Sequence, residues 1–158
     1  MKMSKSCVIL SCCIILFSIS AYSTTGTVPQ SESDIARIAM LEKALAPQKV
    51  DEVATLFAKA NKDRNGAVQF MLFSNPLKNK YKDRWPYWVS GVSSPWITSY
   101  TIKKEAQSKN TWKFKITYQW TTASGPFQPS LVQTIVVAPV PKNASSSQKY
   151  WITQFNEL

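Results

Sequence analysis

The sequence predicts an α+β domain, N-terminal helices first and an antiparallel sheet after them. Three observations carry this. Apolar residues recur at helical spacing between Ile35 and Ala60. From Trp96 onward the period shifts to two. Strand-like runs then follow one another through hairpin-length links, instead of alternating with helices as βαβ units would. The chain has 158 residues, 44% of them hydrophobic and 12% aromatic, which suits roughly one globular domain.

The first segment reads as an address. Met1–Ser6 carries Lys2 and Lys5, and Cys7–Ile19 is almost continuously apolar, short of the roughly 20 residues a membrane-crossing helix needs. Ala21-Tyr22-Ser23 supplies small residues for cleavage after Ser23, so residues 1–23 are expected to be a signal peptide rather than an uncleaved anchor. Cys7, Cys12 and Cys13 all fall inside it. The cleaved chain would then hold neither a disulfide framework nor a thiol nucleophile. Ile9-Leu10-Ser11-Cys12 loosely resembles a lipoprotein box, but too few apolar residues precede it, so a lipid anchor on Cys12 is the lesser expectation.

Residues 24–32 form a Thr/Gly/Pro leader without periodicity, and residues 33–158 are expected to form one domain. Helix one starts at Ser33 as N-cap, carries Ile35, Ile38, Ala39, Leu41 and Leu45 at helical spacing, and stops at Pro47. Helix two runs from about Gln48 to Lys62, with Val50, Val53, Leu56, Phe57 and Ala60 on one side. Its acids Asp51 and Glu52 lie near the start and its bases Lys59 and Lys62 near the end, in accord with the helix dipole. Asn65-Gly66 is expected to end it. Ala67–Phe73 is a third helical segment, and Ser74-Asn75-Pro76 opens a short fourth one reaching about Lys82.

Four strands follow. Trp96–Ile102 is the first, and Thr111–Thr121 alternates most cleanly, with Trp112, Phe114, Ile116, Tyr118 and Trp120 on one face. Ser130–Val140 and Tyr150–Phe155 complete the set, with Ala123–Pro126 and Pro141–Gln148 as loops.

At this point the chain resembles the nuclear transport factor 2-like superfamily. Carrying the resemblance are Val53–Ala60, Arg64–Phe70 and Leu72–Lys78, then Trp88–Trp96 and the alternating strands, over roughly Ile35 to Phe155. The resemblance implies helices packed on a strongly bent antiparallel sheet in a cone-like form, as in exported bacterial members. It implies no single activity, because the superfamily spans isomerases, dehydratases, transport adaptors and assembly domains. Its enzymes place an Asp base, a Tyr or an Asp–His pair in the cone.

Several chemistries are excluded outright. With no histidine, Ser-His-Asp and Cys-His catalysis and every histidine-containing metal site are ruled out. Asn61–Leu72 has oxygen side chains at calcium-loop positions 1, 3 and 5, but Leu72 stands where a bidentate Glu is needed. No cofactor or metal is expected. Nineteen Lys and Arg against nine Asp and Glu give +10, falling to +8 once Lys2 and Lys5 leave with the signal. Such a balance suits an exported protein that meets anionic partners.

The expected function is therefore that of a noncatalytic binding or assembly module of the bacterial envelope, periplasmic, envelope-bound or secreted. Its ligand-binding residues would be Trp85, Tyr87, Trp88 and Trp96, which stack, and Lys80, Lys82 and Arg84, which attract an anionic group. The partner would be a protein, a second copy included, or an anionic envelope ligand rather than nucleic acid. Cleavage of the signal would leave no transmembrane span. One alternative is a small enzyme, isomerase- or dehydratase-like, using Tyr87 or Tyr118 with Asp83; another is a polyanion-binding protein.

Overall fold

The computed structural model of the chain describes residues 31–83 and 95–157. The expected signal peptide with its three cysteines, the leader as far as Gln30, and the candidate ligands Arg84, Trp85, Tyr87 and Trp88 lie outside the described residues. Among those described are four helices and a four-stranded antiparallel sheet that does not close on itself, an α+β arrangement in the expected order.

Helix α1 spans Glu32–Leu45. Its N-cap is Ser31, two residues before the expected Ser33, and the Ser31 hydroxyl accepts the Asp34 N–H at 3.1 Å. This start brings both Glu32 and Asp34 into the first turn, where the helix dipole favours acids. Helical spacing does not bring burial here: no residue of α1 is buried, and Ile35, Ile38, Leu41 and Leu45 are all exposed. Its sequence contains the reason. At about 100° per residue, Glu42 projects between Ile35 and Ile38, and Asp34 between Leu41 and Leu45.

Helix α2 spans Val50–Lys62, and the Glu52 carboxylate accepts the N–H groups of Gln48 and Lys49 at 2.9 and 3.1 Å. Val53, Ala54, Phe57, Ala58, Ala60 and Asn61 are buried. Asn65-Gly66 does not end this helix. Asp63 is its C-cap, Arg64 adopts the left-handed conformation at φ 60°, and Asn65 opens helix α3 (Gly66–Met71) by accepting the Val68 N–H at 3.1 Å. Asn is among the strongest N-caps, and that preference wins here. Helix α4 spans Asn75–Tyr81, with Pro76 in its first turn.

The sheet is a meander of β1 (Trp96–Ser108), β2 (Thr111–Thr122), β3 (Gly125–Pro139) and β4 (Tyr150–Glu157). β1 runs six residues beyond the expected Ile102. Lys103 and Lys104 pair opposite Lys115 and Phe114, and a Glu105–Lys113 ion pair of 3.2 Å helps to hold the extension. β3 begins at Gly125 instead of Ser130, across Pro126 and Pro129, near a register shift between Tyr118 and Trp120. Irregular pairing of that kind is where strands tolerate proline.

One face of the sheet receives α2. Phe114, Ile116 and Tyr118 of β2, Ile135 and Val137 of β3 and Ile152 of β4 meet Val53 and Phe57 there. The Phe57 ring lies 6.0 Å from Phe73 and 5.8 Å from Phe155 between centroids. The α3–α4 turn is stitched to β4 by two backbone hydrogen bonds of 2.8 Å, Ser74 N–H to the Ile152 carbonyl and Ile152 N–H to the Leu72 carbonyl. On the other face, Lys103 stands directly opposite Lys115 and Thr101 opposite Thr117.

Candidate functional site

Of the seven residues expected to bind a ligand, the described structure places three. Lys80 and Lys82 come together at the end of α4, where Lys80 is in the last turn and Lys82 is the C-cap. Both are exposed. The Lys80 ammonium sits 4.9 Å from the centroid of the Tyr81 ring, a cation–π contact that leaves the charge available to solvent. Trp96 is 40% exposed at the start of β1, opposite Thr121. In sequence, Trp96 and the two lysines flank the stretch that holds Arg84, Trp85, Tyr87 and Trp88. The residue before Trp96 is anchored, because the Arg64 guanidinium donates to the Pro95 carbonyl at 2.8 Å.

A separate aromatic pair lies on β2 and β3. Trp120 packs edge-on against Phe127 at 5.3 Å, and its indole N–H donates to the Pro129 carbonyl at 2.8 Å. Phe127 is itself exposed. Cross-strand pairing puts Trp120 and Phe127 on the face that receives α2 and Trp96 on the opposite one.

The interior between α2 and the sheet is occupied by side chains. Tyr118, Phe57, Phe73, Phe114, Leu72 and Ile116 are all essentially inaccessible. Of the expected β2 stripe, Phe114, Ile116 and Tyr118 are fully buried, while Trp112 and Trp120 at its ends are half-buried. The Tyr118 hydroxyl is enclosed beside Asn61 without a well-formed hydrogen bond. Burial pushes its ionisation well above the usual tyrosine value, the Asn61 amide acting in the opposite direction. Tyr118 is inaccessible, whereas Asp83 is exposed just beyond α4. Tyr87, the other tyrosine considered beside Asp83, lies outside the described residues.

A polar line crosses this interior that the sequence reading missed. The Asn61 side-chain amide donates to the Gln133 oxygen at 3.2 Å, and the Gln133 amide donates to the Glu157 carboxylate at 2.8 Å. Asn61 and Gln133 are both buried, so each bond satisfies a group that would otherwise be costly to desolvate. Two signals point to them. Asn61 falls four residues after Phe57 on the apolar side of α2, and Gln133 alternates with Ile135 and Val137.

Ion pairs elsewhere attach α2 at its edges. Lys104 reaches across to Asp51 at 3.2 Å, and Lys59 pairs with Asp63 one turn further along its own helix. The hydrogen bond and charge of Asp63 raise the Lys59 ammonium above its usual value.

The sequence matches no known protein-family profile, and no curated protein matches it.

Proposed function

We propose that this chain is an exported, noncatalytic binding or assembly module of the bacterial envelope, with a cone-like fold of the nuclear transport factor 2-like type. The observation that carries the reading is the filled interior. Where enzymes of that superfamily keep a polar cavity, Phe57, Phe114, Tyr118 and Phe155 occupy the space, so recognition falls to the outside of the molecule. The order of helices then sheet, with α2 laid across one sheet face, supports the fold likeness.

Among the described residues, the outer features available for recognition include the lysines at the end of α4, the exposed Trp96, and the exposed isoleucines and leucines of α1. Trp85, Tyr87, Trp88 and Trp96 would stack on a ligand while Lys80, Lys82 and Arg84 attract its anionic group. A fluorescence titration of the chain from Thr24 with an anionic cell-wall polymer fragment, at low and high salt, tests this. A salt-sensitive shift that Trp88→Ala/Arg84→Ala abolishes is the expected result. An unresponsive chain, or a response that survives in the double variant, rejects this surface as the binding site.

A second reading, binding of a polyanion, is favoured by the far face of the sheet. Lys103 and Lys115 stand opposite each other there and Lys113 lies two residues along β2, with Glu105 the partner of Lys113 alone. Like charges directly opposite are unfavourable in isolation, and a bound polyanion would relieve them. Affinity that falls steeply with salt, and falls less steeply in Lys103→Gln/Lys115→Gln, is its signature.

A further inference from the structure

A cavity of about 410 Å³ opens where α1, α4 and the β3–β4 loop approach one another. That volume falls within the range of small-molecule sites. Its wall includes Lys43 of α1, Asn75 and Lys78 of α4, Ser146 and Gln148 of the loop, and Trp151 of β4. None of these belongs to the surface invoked above.

Gln148 is the informative residue. It is only 8% exposed, and its side-chain amide donates to the Met71 carbonyl at 2.6 Å. A carbonyl can only accept, so this bond holds the amide nitrogen toward Met71 and turns the side-chain oxygen away from it. That oxygen is buried, lies on a residue lining the cavity, and accepts no hydrogen bond. A buried acceptor left unmatched is unfavourable, and a donor entering the cavity would supply the missing bond.

The remaining wall narrows the chemistry. Among the described residues neither Lys43 nor Lys78 has an acidic partner, the Lys78 ammonium lying 5.8 Å from the Phe70 ring centroid, and Glu42 is the one acid lining the cavity. The balance favours an anion of low charge. Hydroxyl and amide groups from Ser146 and Asn75 both donate and accept, which matches hydroxyls better than it matches a bare phosphate. Trp151 adds an aromatic surface on which an apolar sugar face can lie.

We propose that this cavity binds a sugar acid, a pyranose bearing a carboxylate. Its ring packs on Trp151, its carboxylate meets Lys43 and Lys78, and one ring hydroxyl donates to the Gln148 oxygen. The proposal stands whether or not the Trp85–Trp96 region binds anything.

Isothermal titration of the full chain with D-glucuronic acid, D-glucose and acetate tests it. Glucuronate is expected to bind with a Kd of about 1 mM or tighter, and glucose and acetate at least about tenfold more weakly. Trp151→Ala and Lys43→Ala/Lys78→Ala should each weaken glucuronate about tenfold or more, the lysine variant acting at accessible positions that the core does not need. Gln148→Leu should do the same. Because that change also removes the bond to Met71, circular dichroism must first show it folded, and the lysine variant decides if it is not. Equal affinity for glucuronate and glucose, wild-type affinity in the lysine variant, or no heat with glucuronate would each overturn the proposal.

Discussion

Helices α1 and α2 are neighbours of nearly equal length, 14 and 13 residues, and they end in opposite environments. α2 buries six residues against the sheet, and α1 buries none. Both have apolar residues at helical spacing. What separates them is where the charges fall. In α2, Asp51, Glu52, Thr55, Lys59 and Lys62 share one arc, so the opposite arc is free to be buried without desolvating a charge. In α1, Asp34 and Glu42 are interleaved among the isoleucines and leucines. Periodicity thus marks a helix, but burial follows only where the polar residues leave one side entirely clear.

The sharpest way to break this comparison is to cut one large side chain from each helix. Phe57→Ala should cost about 3–5 kcal/mol, because Phe57 is inaccessible and packs on Phe73 and Phe155. Leu41→Ala, at a position 57% exposed, should change stability by less than about 0.5 kcal/mol. Urea unfolding of both variants measures the difference. If Leu41→Ala cost as much as Phe57→Ala, α1 would be buried in solution, either on this chain or on a partner.

Asn61→Leu probes the polar residue that α2 carries on its buried side. The change leaves the Gln133 oxygen without its donor inside the interior, at an expected cost of about 1–3 kcal/mol by the same unfolding measurement. Joint substitution to Asn61→Leu/Gln133→Leu should cost less than the sum of the two single changes, since it removes both ends of the bond. Additive costs would mean that Asn61 and Gln133 do not act together.

Local pattern made α2, α4 and the alternation of β2 readable in the sequence. Asn75-Pro76 and the Trp112–Trp120 stripe depend on residues within one element, and sterics and period determine them. Gln148 was not readable in the same way, because its partner Met71 lies 77 residues earlier and nothing in Ser145–Gln148 marks a buried amide. The length of β1 escaped for a related reason. Lys103-Lys104-Glu105 has the composition of a turn, and only pairing with Lys115 and Phe114 of β2 makes it strand. Of the candidate ligands, the basic pair at the end of α4 follows from helix position, whereas the exposure of Trp96 depends on the whole sheet.

Lys104→Ala tests the attachment of α2 at its rim. Lys104 is paired with Asp51 at 3.2 Å and lies 5.6 Å from the Phe114 ring centroid, yet both partners of the ion pair are substantially exposed. Water and salt screen such a pair, so the loss should be about 0.2–1 kcal/mol and should shrink as salt is added. A cost equal to that of Asn61→Leu would place the rim contact, rather than the interior, at the centre of how α2 is held.

The smallest effect at neutral pH, and the most specific one, belongs to Tyr118→Phe. The hydroxyl is enclosed without a well-formed hydrogen bond, so removing it should shift stability by no more than about 1 kcal/mol at pH 7. Its ionisation is raised in the fold by burial, which means the folded chain keeps the phenol proton at a pH where the unfolded chain has released it. The stabilisation that follows is complete below the ordinary tyrosine value near 10 and is lost as pH rises beyond it, by up to about 1.4 kcal/mol per pH unit for this one group. Tyr118→Phe lacks that loss. Urea unfolding of the two proteins between neutral pH and pH 11 should give parallel curves up to about pH 10, after which the tyrosine-containing chain falls away faster. Lysines and the other tyrosines titrate in both proteins and cancel from the difference. Curves that stayed parallel throughout would mean that water reaches the hydroxyl, and an interior open to water at Tyr118 would remove the filled-core argument on which the noncatalytic reading rests.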